Sequence, residues 1–594
     1  HPELGGWYYE ATETGFNYRL SGIHAALGVS QLAKLTRFVE RRGVLATRYR
    51  AALSDANVML PPEAPAGWCH AYHLFPVRVA NREAVYDELR SRDIAVQVHY
   101  VPLTRHPVLS STLRSSAECP AAEAAYAELL SLPLFPGLSD ADQDEVVDRL
   151  LEAVDRHAST SSAHAGGSMP QLPERSLAES SMWWERAEAV IPMGTQTLSK
   201  SPTQFARGRS PIYLSHGRGA HVWDVDGNRY LDYPMALGAV ILGYADPSVD
   251  EAIRRQLEHG ITFTLMHPLE VEVAERIVAL CPGVEAVRFG KTGSDAVSAA
   301  VRAARALTGR DVVLVGGYHG WHDWYIGSTS RNAGVPHAVR ELVATFAFDD
   351  VDDLERAFAE YDGRVAAVVL EPSGAGVPSP GFLGTVVDRA RRHGAISVFD
   401  EVITGFRVAP GGARERYGVA PDISCYGKAL GNGMPISAVA GSWAVMAAFE
   451  EVFFSLTHGG ETLSLAAAKA VLDAIADGQV LAGIEAHGRR LRDGIARLVD
   501  SYHLGDRVRV GGEPHRSVVE FLGSDPLVDK TWVQQCLVDR DILFNGSMFV
   551  SARHDDRDVD DTLEAFDDAF AVLAAHDNPR SLLVGEPVEP VFRP

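Results

Sequence analysis

Four stretches in the second half of the chain share one plan: RDVVLVGGYHG (310–320), RVAAVVLEPSG (364–374), AISVFDEVITG (395–405) and PDISCYGKALGNG (421–433). Each is an unbroken apolar run that ends on polar residues and a glycine-rich turn, with helical spacing between one run and the next. A strand that is apolar on both faces must be covered on both faces, which predicts a mainly parallel sheet sandwiched by helices, an α/β fold. In such sheets ligands gather at the carboxyl ends of the strands. Tyr318, Glu371, Asp400 and Lys428 fall at those ends.

Lys428 stands out because the chain has only six lysines among 594 residues and otherwise uses arginine for its cations. A lysine beside a turn can form a Schiff base with a carbonyl if its surroundings favour the neutral amine. Asp400, on a neighbouring strand end, can keep a pyridine nitrogen protonated, and that pairing is the mark of pyridoxal phosphate chemistry. The cofactor's phosphate needs backbone donors at a helix start. GKTGSDAVSAAVRAARALTG (290–309) offers one, with Gly293 and Ser294 preceding an alanine-rich helix. Tyr318 presents an aromatic face for a planar ring. Taken singly, Asp400 also reads as a helix N-cap, KTGSDA as an ordinary capping turn and Tyr318 as core. His319 and His322 make a metal pair without a third ligand, so no metal is expected.

The hydrophobic share of 46% and charged share of 22% leave ample core for several compact units. No apolar run reaches the roughly 18–20 residues that span a bilayer, and no signal peptide opens the chain. A net charge of −23 without a basic stripe argues against nucleic acid as a partner. Cys69, Cys119, Cys281, Cys425 and Cys536 are scattered, without CxxC pairs, which points to a reducing, cytoplasmic setting. The chain begins in mid-pattern without Met, so His1 is not expected to be its natural start.

Residues 156–181, rich in Ser, Ala, Gly and Pro, carry no hydrophobic period. This divides the chain into an α+β unit (1–155), a flexible linker (156–174) and the larger unit (175–594), in the manner of a gene fusion. In the first unit, residues 23–53, AAEAAYAELLSL (121–132) and DADQDEVVDRLLEAV (140–154) have helical spacing. AYHLFPVRV (71–79) and AVQVHYVPL (95–103) alternate like strands.

A series of motifs in the second unit resembles the class III (fold type I) aminotransferases, and within them the glutamate-1-semialdehyde 2,1-aminomutase group. They include GAHVWDVDGNRYLDY, ILGYADPSV, TGSDAVSAAVRAARALTGRD, GGYHGWHD, VVLEPSGAG, FDEVITGFRV and GKALGNGMPISAVAGS, in family order. The resemblance implies a pyridoxal 5′-phosphate enzyme of the fold type I transferase class, with a large sheet domain and a small α+β domain. Lys428 would be the Schiff-base lysine and proton shuttle, and Asp400 the partner of the pyridine nitrogen. Val402 would pack beneath the ring and Tyr318 above it, with Gly293 and Ser294 on the phosphate. Thr457 would reach the phosphate of a neighbouring subunit, implying a homodimer with shared sites. Two departures bear on the reaction. The stretch after YHGWHD is short for the gating loop of an aminomutase, and GGETLS replaces an Asn-Pro common in relatives.

Residues 5–155 resemble the carboxyl-terminal part of a second group, the DegT/DnrJ/EryC1/StrS sugar aminotransferases, nearest the type of pseudaminic acid synthesis. The motifs are WYYEATETGFNYRLSGIHAALGVSQLAKLTRFVERR, YHLFPVRV, VQVHYVPLTRHPV and AELLSLPLFPGLSD. Asn17, Tyr18 and Arg19 match a loop near that family's active site. Lys34, the only lysine before the linker, has neither a glycine turn nor a partner Asp, so this unit is not expected to run the chemistry itself. The expected activity is transfer of an amino group from a small-molecule donor to a carbonyl acceptor, with a glycan or amino-sugar precursor as acceptor. Glutamate-1-semialdehyde 2,1-aminomutase and a non-catalytic regulator of the same fold are the alternatives.

Overall fold

The computed structural model describes residues 28–158, apart from 55, 57, 63–69, 93, 100–121, 123, 124 and 127, and residues 175–590, apart from 375. Asn17, Tyr18, Arg19, Cys69, Cys119 and most of the expected linker lie outside these residues. The chain divides into two units, His1–Gln171 and Leu172–Pro594. Among the described residues, no helix is long and apolar enough to cross a membrane.

The first unit contains helix α1 (Leu35–Leu53), strand β1 (Phe75–Arg78), α2 (Arg82–Ser91), β2 (Leu129–Leu132) and α3 (Asp140–Ala158). β1 and β2 pair antiparallel, Val77 opposite Leu130. Tyr49, Leu53, Phe75, Val77, Leu89, Leu130 and Leu150 form its core. Three expectations change here. Residues 129–132, read as helix, are a strand, because Leu130 and Leu132 bury against the core only when Leu129–Leu132 pairs with β1. Gln97, read within a strand, forms only an isolated bridge to Ser131. α3 also runs on to Ala158, into the segment read as linker. Lys34 is exposed at the start of α1.

The second unit begins with a helix at Ala178–Val190. A small sheet follows, formed by β3 (Leu214–Arg218), β4 (His221–Asp224) and β5 (Arg229–Asp232). The central sheet comprises β6 (Ala286–Gly290), β7 (Val312–Gly316), β8 (Val343–Thr345), β9 (Val365–Leu370), β10 (Ile396–Glu401), β11 (Ile423–Tyr426) and β12 (Ser437–Gly441). Its order is β6-β12-β11-β10-β9-β7-β8. All neighbours run parallel except β12, which is antiparallel to both β6 and β11. Alternate residues serve opposite faces. Val313, Val315, Val369, Val398 and Ile423 pack beneath helix α4 (Gly293–Thr308), while Val312, Leu314, Val368, Leu370 and Phe399 pack into the other layer. This two-sided burial is what makes the runs continuous in the sequence.

Toward the carboxyl terminus, β13 (Val508–Glu513), β14 (Arg516–Phe521) and β16 (Ser547–Phe549) form an antiparallel sheet. β15 (Ile542–Leu543) returns to pair with β5. The architecture is the mainly parallel α/β sheet with a smaller α+β part that the sequence predicts.

Candidate active site

Sheet register assembles the site. Asp400 lies opposite Cys425 in the β10–β11 pair, and Lys428 follows the end of β11 by two residues. Gly316 at the end of β7 lies opposite Leu370 at the end of β9, which brings Tyr318 beside Glu371. The Tyr318 backbone N–H donates to Oε2 of Glu371 at 3.2 Å. All four residues named from the strand ends therefore meet at one edge of the sheet.

Lys428 sits in a left-handed conformation, φ 43°, at the first position of a short 3-10 turn. A lysine pays of order 1 kcal/mol for that geometry, so the surrounding fold must hold it. Its side chain keeps limited access to the cleft, yet burial pushes its pKa down from 10.5 to about 8. Glu371 and Asp400 pull it back toward the charged form, while Arg516 and Arg407 add to the depression. Burial, and then the charge of Asp400, raise the pKa of Glu371. Burial thus moves the two groups in opposite directions, the amine down and the carboxyl up.

Asp400 is buried, in strand rather than as a helix cap. Its Oδ2 accepts a 2.8 Å hydrogen bond from Nδ1 of His319, and its Oδ1 accepts from the Val402 backbone N–H at 3.1 Å. His319 is buried against Trp324, with ring planes 15° apart, and meets Tyr325 edge-on at 5.2 Å. Neither histidine of YHGWHD faces a metal cluster. His322 contacts Ser298 at 2.7 Å, and no group of three or more candidate ligands lies together among the described residues.

Val402 packs closely against two glycines near Lys428. An added Cβ on Gly293 would lie 2.9 and 3.0 Å from the two methyl groups of Val402, and one on Gly427 would lie 3.4 Å from the same side chain. Tyr318, half exposed, is set edge-on against Tyr325 at 5.6 Å. Gly293 and Ser294 open α4, whose start is fixed by a capping box. The Asp295 N–H donates to Thr292 Oγ1 at 3.2 Å, and the Thr292 N–H donates to Asp295 Oδ2 at 2.7 Å. Free N–H groups at this end are suited to a phosphate. Gly320, at φ 93°, lets its loop approach Ser294: an added Cβ would fall 2.1 Å from the serine hydroxyl. A lysine, a buried carboxylate and a helix start with free N–H groups are a residue set that fits pyridoxal phosphate.

Thr457 lies on an exposed turn before the helix Thr462–Ile475, and its hydroxyl bonds to none of these residues. Sequence reasoning missed His319 as the holder of Asp400, although it adjoins Tyr318. It also missed Arg407 and Arg516, whose charges act on Lys428.

The family model for aminotransferase class-III matches residues 204–521, and that for the DegT/DnrJ/EryC1/StrS aminotransferase family matches residues 5–151. The glutamate-1-semialdehyde 2,1-aminomutase of Symbiobacterium thermophilum is 35% identical over 424 residues, covering 66% of this chain and 97% of the relative. That of Aquifex aeolicus is 32% identical, covering 66% and 99%. Among solved structures, the FumI protein of Sphingopyxis sp. MTA144, in its PLP internal aldimine form, superposes with a TM-score of 0.63 at 31% identity, covering 69% of this chain and 98% of that one. An omega-transaminase from Sphaerobacter thermophilus gives 0.61 at 27% identity, covering 67% and 98%. With the family match spanning more than half its length, the chain belongs to the class III aminotransferases, enzymes that transfer amino groups with pyridoxal phosphate.

Proposed function

We propose that the second unit transfers an amino group between two separate small molecules, from an amino donor to a carbonyl acceptor. Pyridoxal phosphate, when bound, supplies an electron sink that acidifies the substrate's α-hydrogen and carries the nitrogen from one substrate to the other. Lys428 would hold the cofactor through Nζ and would take and return the proton at the substrate's α-carbon. Its lowered pKa leaves enough neutral amine for both tasks near neutral pH. Asp400 would partner the cofactor's ring nitrogen, and His319 fixes the carboxylate's orientation. Val402 and Tyr318 would hold the two faces of the ring, while Gly293 and Ser294 would bind the phosphate.

The observation that carries intermolecular transfer is the stretch between Tyr318 and β8. It closes on itself: Arg340 donates through Nη2 to the Asn332 carbonyl and through Nε to the Val335 carbonyl, each at 2.9 Å. Asn332 Nδ2 donates to the Thr329 carbonyl at 2.8 Å. A segment spent on its own hydrogen bonds is poorly suited to act as a gate that retains a half-processed substrate. The neighbouring DegT-type unit favours a glycan or amino-sugar precursor as acceptor. The aminomutase relatives at up to 35% identity favour a second reading, intramolecular transfer on glutamate-1-semialdehyde.

A homodimer with Thr457 reaching its neighbour's phosphate fits the exposed apolar side chains near that turn and in the 257–271 region. Phe453, Leu265 and Met266 are 77%, 77% and 82% exposed.

The test mixes the cofactor-loaded chain with L-glutamate and no acceptor. Stoichiometric 2-oxoglutarate supports the intermolecular reading and opens a search among keto sugars. Absence of 2-oxoglutarate, with glutamate-1-semialdehyde converted to 5-aminolevulinate, replaces it with the aminomutase.

A further inference from the structure

Asp400 takes its direction from His319, but His319 is held at one end only. Its Nδ1 donates to Oδ2 of Asp400 at 2.8 Å, while its Nε2 is buried without a hydrogen-bond partner. The second torsion of a histidine side chain is soft, so one hydrogen bond leaves the walls around the ring to set its plane.

Two aromatic rings form those walls. Trp324 lies with its plane 15° from that of His319 at a centroid distance of 6.4 Å, and Tyr325 meets it edge-on at 5.2 Å. Both belong to the short helical turn Asp323–Ile326. Each wall is tethered by its polar atom. Tyr325 Oη donates to the Gly317 carbonyl at 2.9 Å, within its own loop. Trp324 Nε1 donates to Oγ of Ser298 at 2.8 Å, and Ser298 belongs to helix α4.

Ser298 is thus where the loop after β7 is fastened to that helix. An indole N–H only donates, so the serine hydroxyl is free to donate in turn, and Nδ1 of His322 lies 2.7 Å from it. One turn earlier on the same face, Ser294 Oγ accepts from the Trp321 N–H at 3.4 Å. Two serines four residues apart therefore seat the stretch 321–324 on the helix whose start suits the cofactor's phosphate. Of the two, Ser298 is the one that reaches His319, through Trp324.

We propose that Ser298 is a positioning residue for the transfer reaction: by tethering Trp324 it sets the plane of His319 and, through His319, the direction in which the Asp400 carboxylate meets the cofactor's ring nitrogen. The proposal rests on the role given to Asp400 above. It makes one helix serve both ends of the cofactor, its start the phosphate and its second turn the ring nitrogen. A carboxylate turned away from that nitrogen is a weaker partner, because a charge-assisted hydrogen bond depends on distance and alignment.

The test uses the full-length chain and its Ser298→Ala, Trp324→Phe, combined Ser298→Ala/Trp324→Phe and Asp400→Asn variants. Each is titrated by equilibrium dialysis with pyridoxal phosphate and with its 1-deaza analogue, which carries C–H in place of the ring nitrogen. Asp400→Asn lowers the preference for the natural cofactor. Ser298→Ala lowers it in the same sense by about 3- to 10-fold, the range of one hydrogen bond. Trp324→Phe keeps a ring beside His319 without the N–H and lowers it likewise. The combined variant loses no more than Ser298→Ala, since both changes cut one contact. A second readout needs no cofactor. The Nδ1 proton of His319, identified in the proton magnetic resonance spectrum by its absence from His319→Phe, shifts in Ser298→Ala.

A preference that falls in Asp400→Asn but holds in Ser298→Ala overturns the proposal, as do additive losses from Ser298→Ala and Trp324→Phe or a His319 proton that does not move. Any of these makes Ser298 a structural tether and leaves the role of Asp400 standing. If Asp400→Asn itself leaves the preference unchanged, the role given to Asp400 is wrong and the proposal falls with it. If Ser298→Ala does not fold, Trp324→Phe decides, an unchanged preference overturning the proposal.

Discussion

Nδ1 of His319 and Oδ2 of Asp400 lie 2.8 Å apart, both side chains buried, at the carboxyl edge of the central sheet. This contact joins the loop after β7 to β10 and fixes which way the carboxylate faces. Replacing Asp400 by Asn keeps the shape and removes the charge. Losing one preorganised electrostatic partner is expected to lower kcat by roughly 10²–10³-fold, measured in single-turnover assays. His319→Phe leaves the buried carboxylate short of a donor and costs about 1–3 kcal/mol in urea unfolding of the cofactor-free chain. An unchanged unfolding midpoint would show that the contact does not matter to the fold.

Lys428 gives a pH signature. The reactive form is the neutral amine, so covalent attachment of the cofactor should quicken as pH rises and level off above about 8, not near 10.5. Lys428→Ala should yield no cofactor-bearing peptide after borohydride reduction. In the cofactor-free chain the lysine's folded pKa lies below its unfolded one. Its contribution to stability is therefore poorest below about pH 8 and recovers as pH climbs to 10.5. Lys428→Met should accordingly out-stabilise wild type most at neutral pH, with the advantage shrinking across that window in chemical unfolding.

The Gly293–Val402 approach predicts a repairable defect. A Cβ at Gly293 would meet both valine methyls at 2.9–3.0 Å. Overpacking of this kind costs about 1–3 kcal/mol, and here it should appear as weaker cofactor binding. The double variant Gly293→Ala/Val402→Ala should regain part of that affinity. Strictly additive losses in equilibrium dialysis would mean the two positions do not share the ring's space.

Thr292 tests the helix start by itself. Thr292→Ala removes the acceptor for the Asp295 N–H and is expected to destabilise the unit by about 1 kcal/mol. Cofactor affinity should fall with it, because the same turn orients the N–H groups of Gly293 and Ser294. Full cofactor affinity in the destabilised variant would place the phosphate elsewhere.

Much of this was legible beforehand because it is local. A strand buried on both faces leaves an unbroken apolar run, and β7, β9, β10 and β11 all did so. Lys428 was conspicuous for its rarity, and Asp400, Glu371 and Tyr318 for their places just past such runs. The helix start at Thr292–Asp295 is readable from four residues. By contrast, Leu129–Leu132 follows a helical spacing and becomes a strand because β1 offers it an edge and a core.

The sequence by itself determined the sheet class, the position of each strand end and the residue types gathered there, because burial pattern and capping act over a few neighbouring residues. Tertiary structure alone decided that His319 turns to Asp400 instead of forming a metal pair with His322. It also decided that Arg516, in the unremarkable strand RSVVEF, shares Phe549 with Arg407 beside Lys428. Such pairings depend on register between strands far apart in the chain, and no local pattern carries that information.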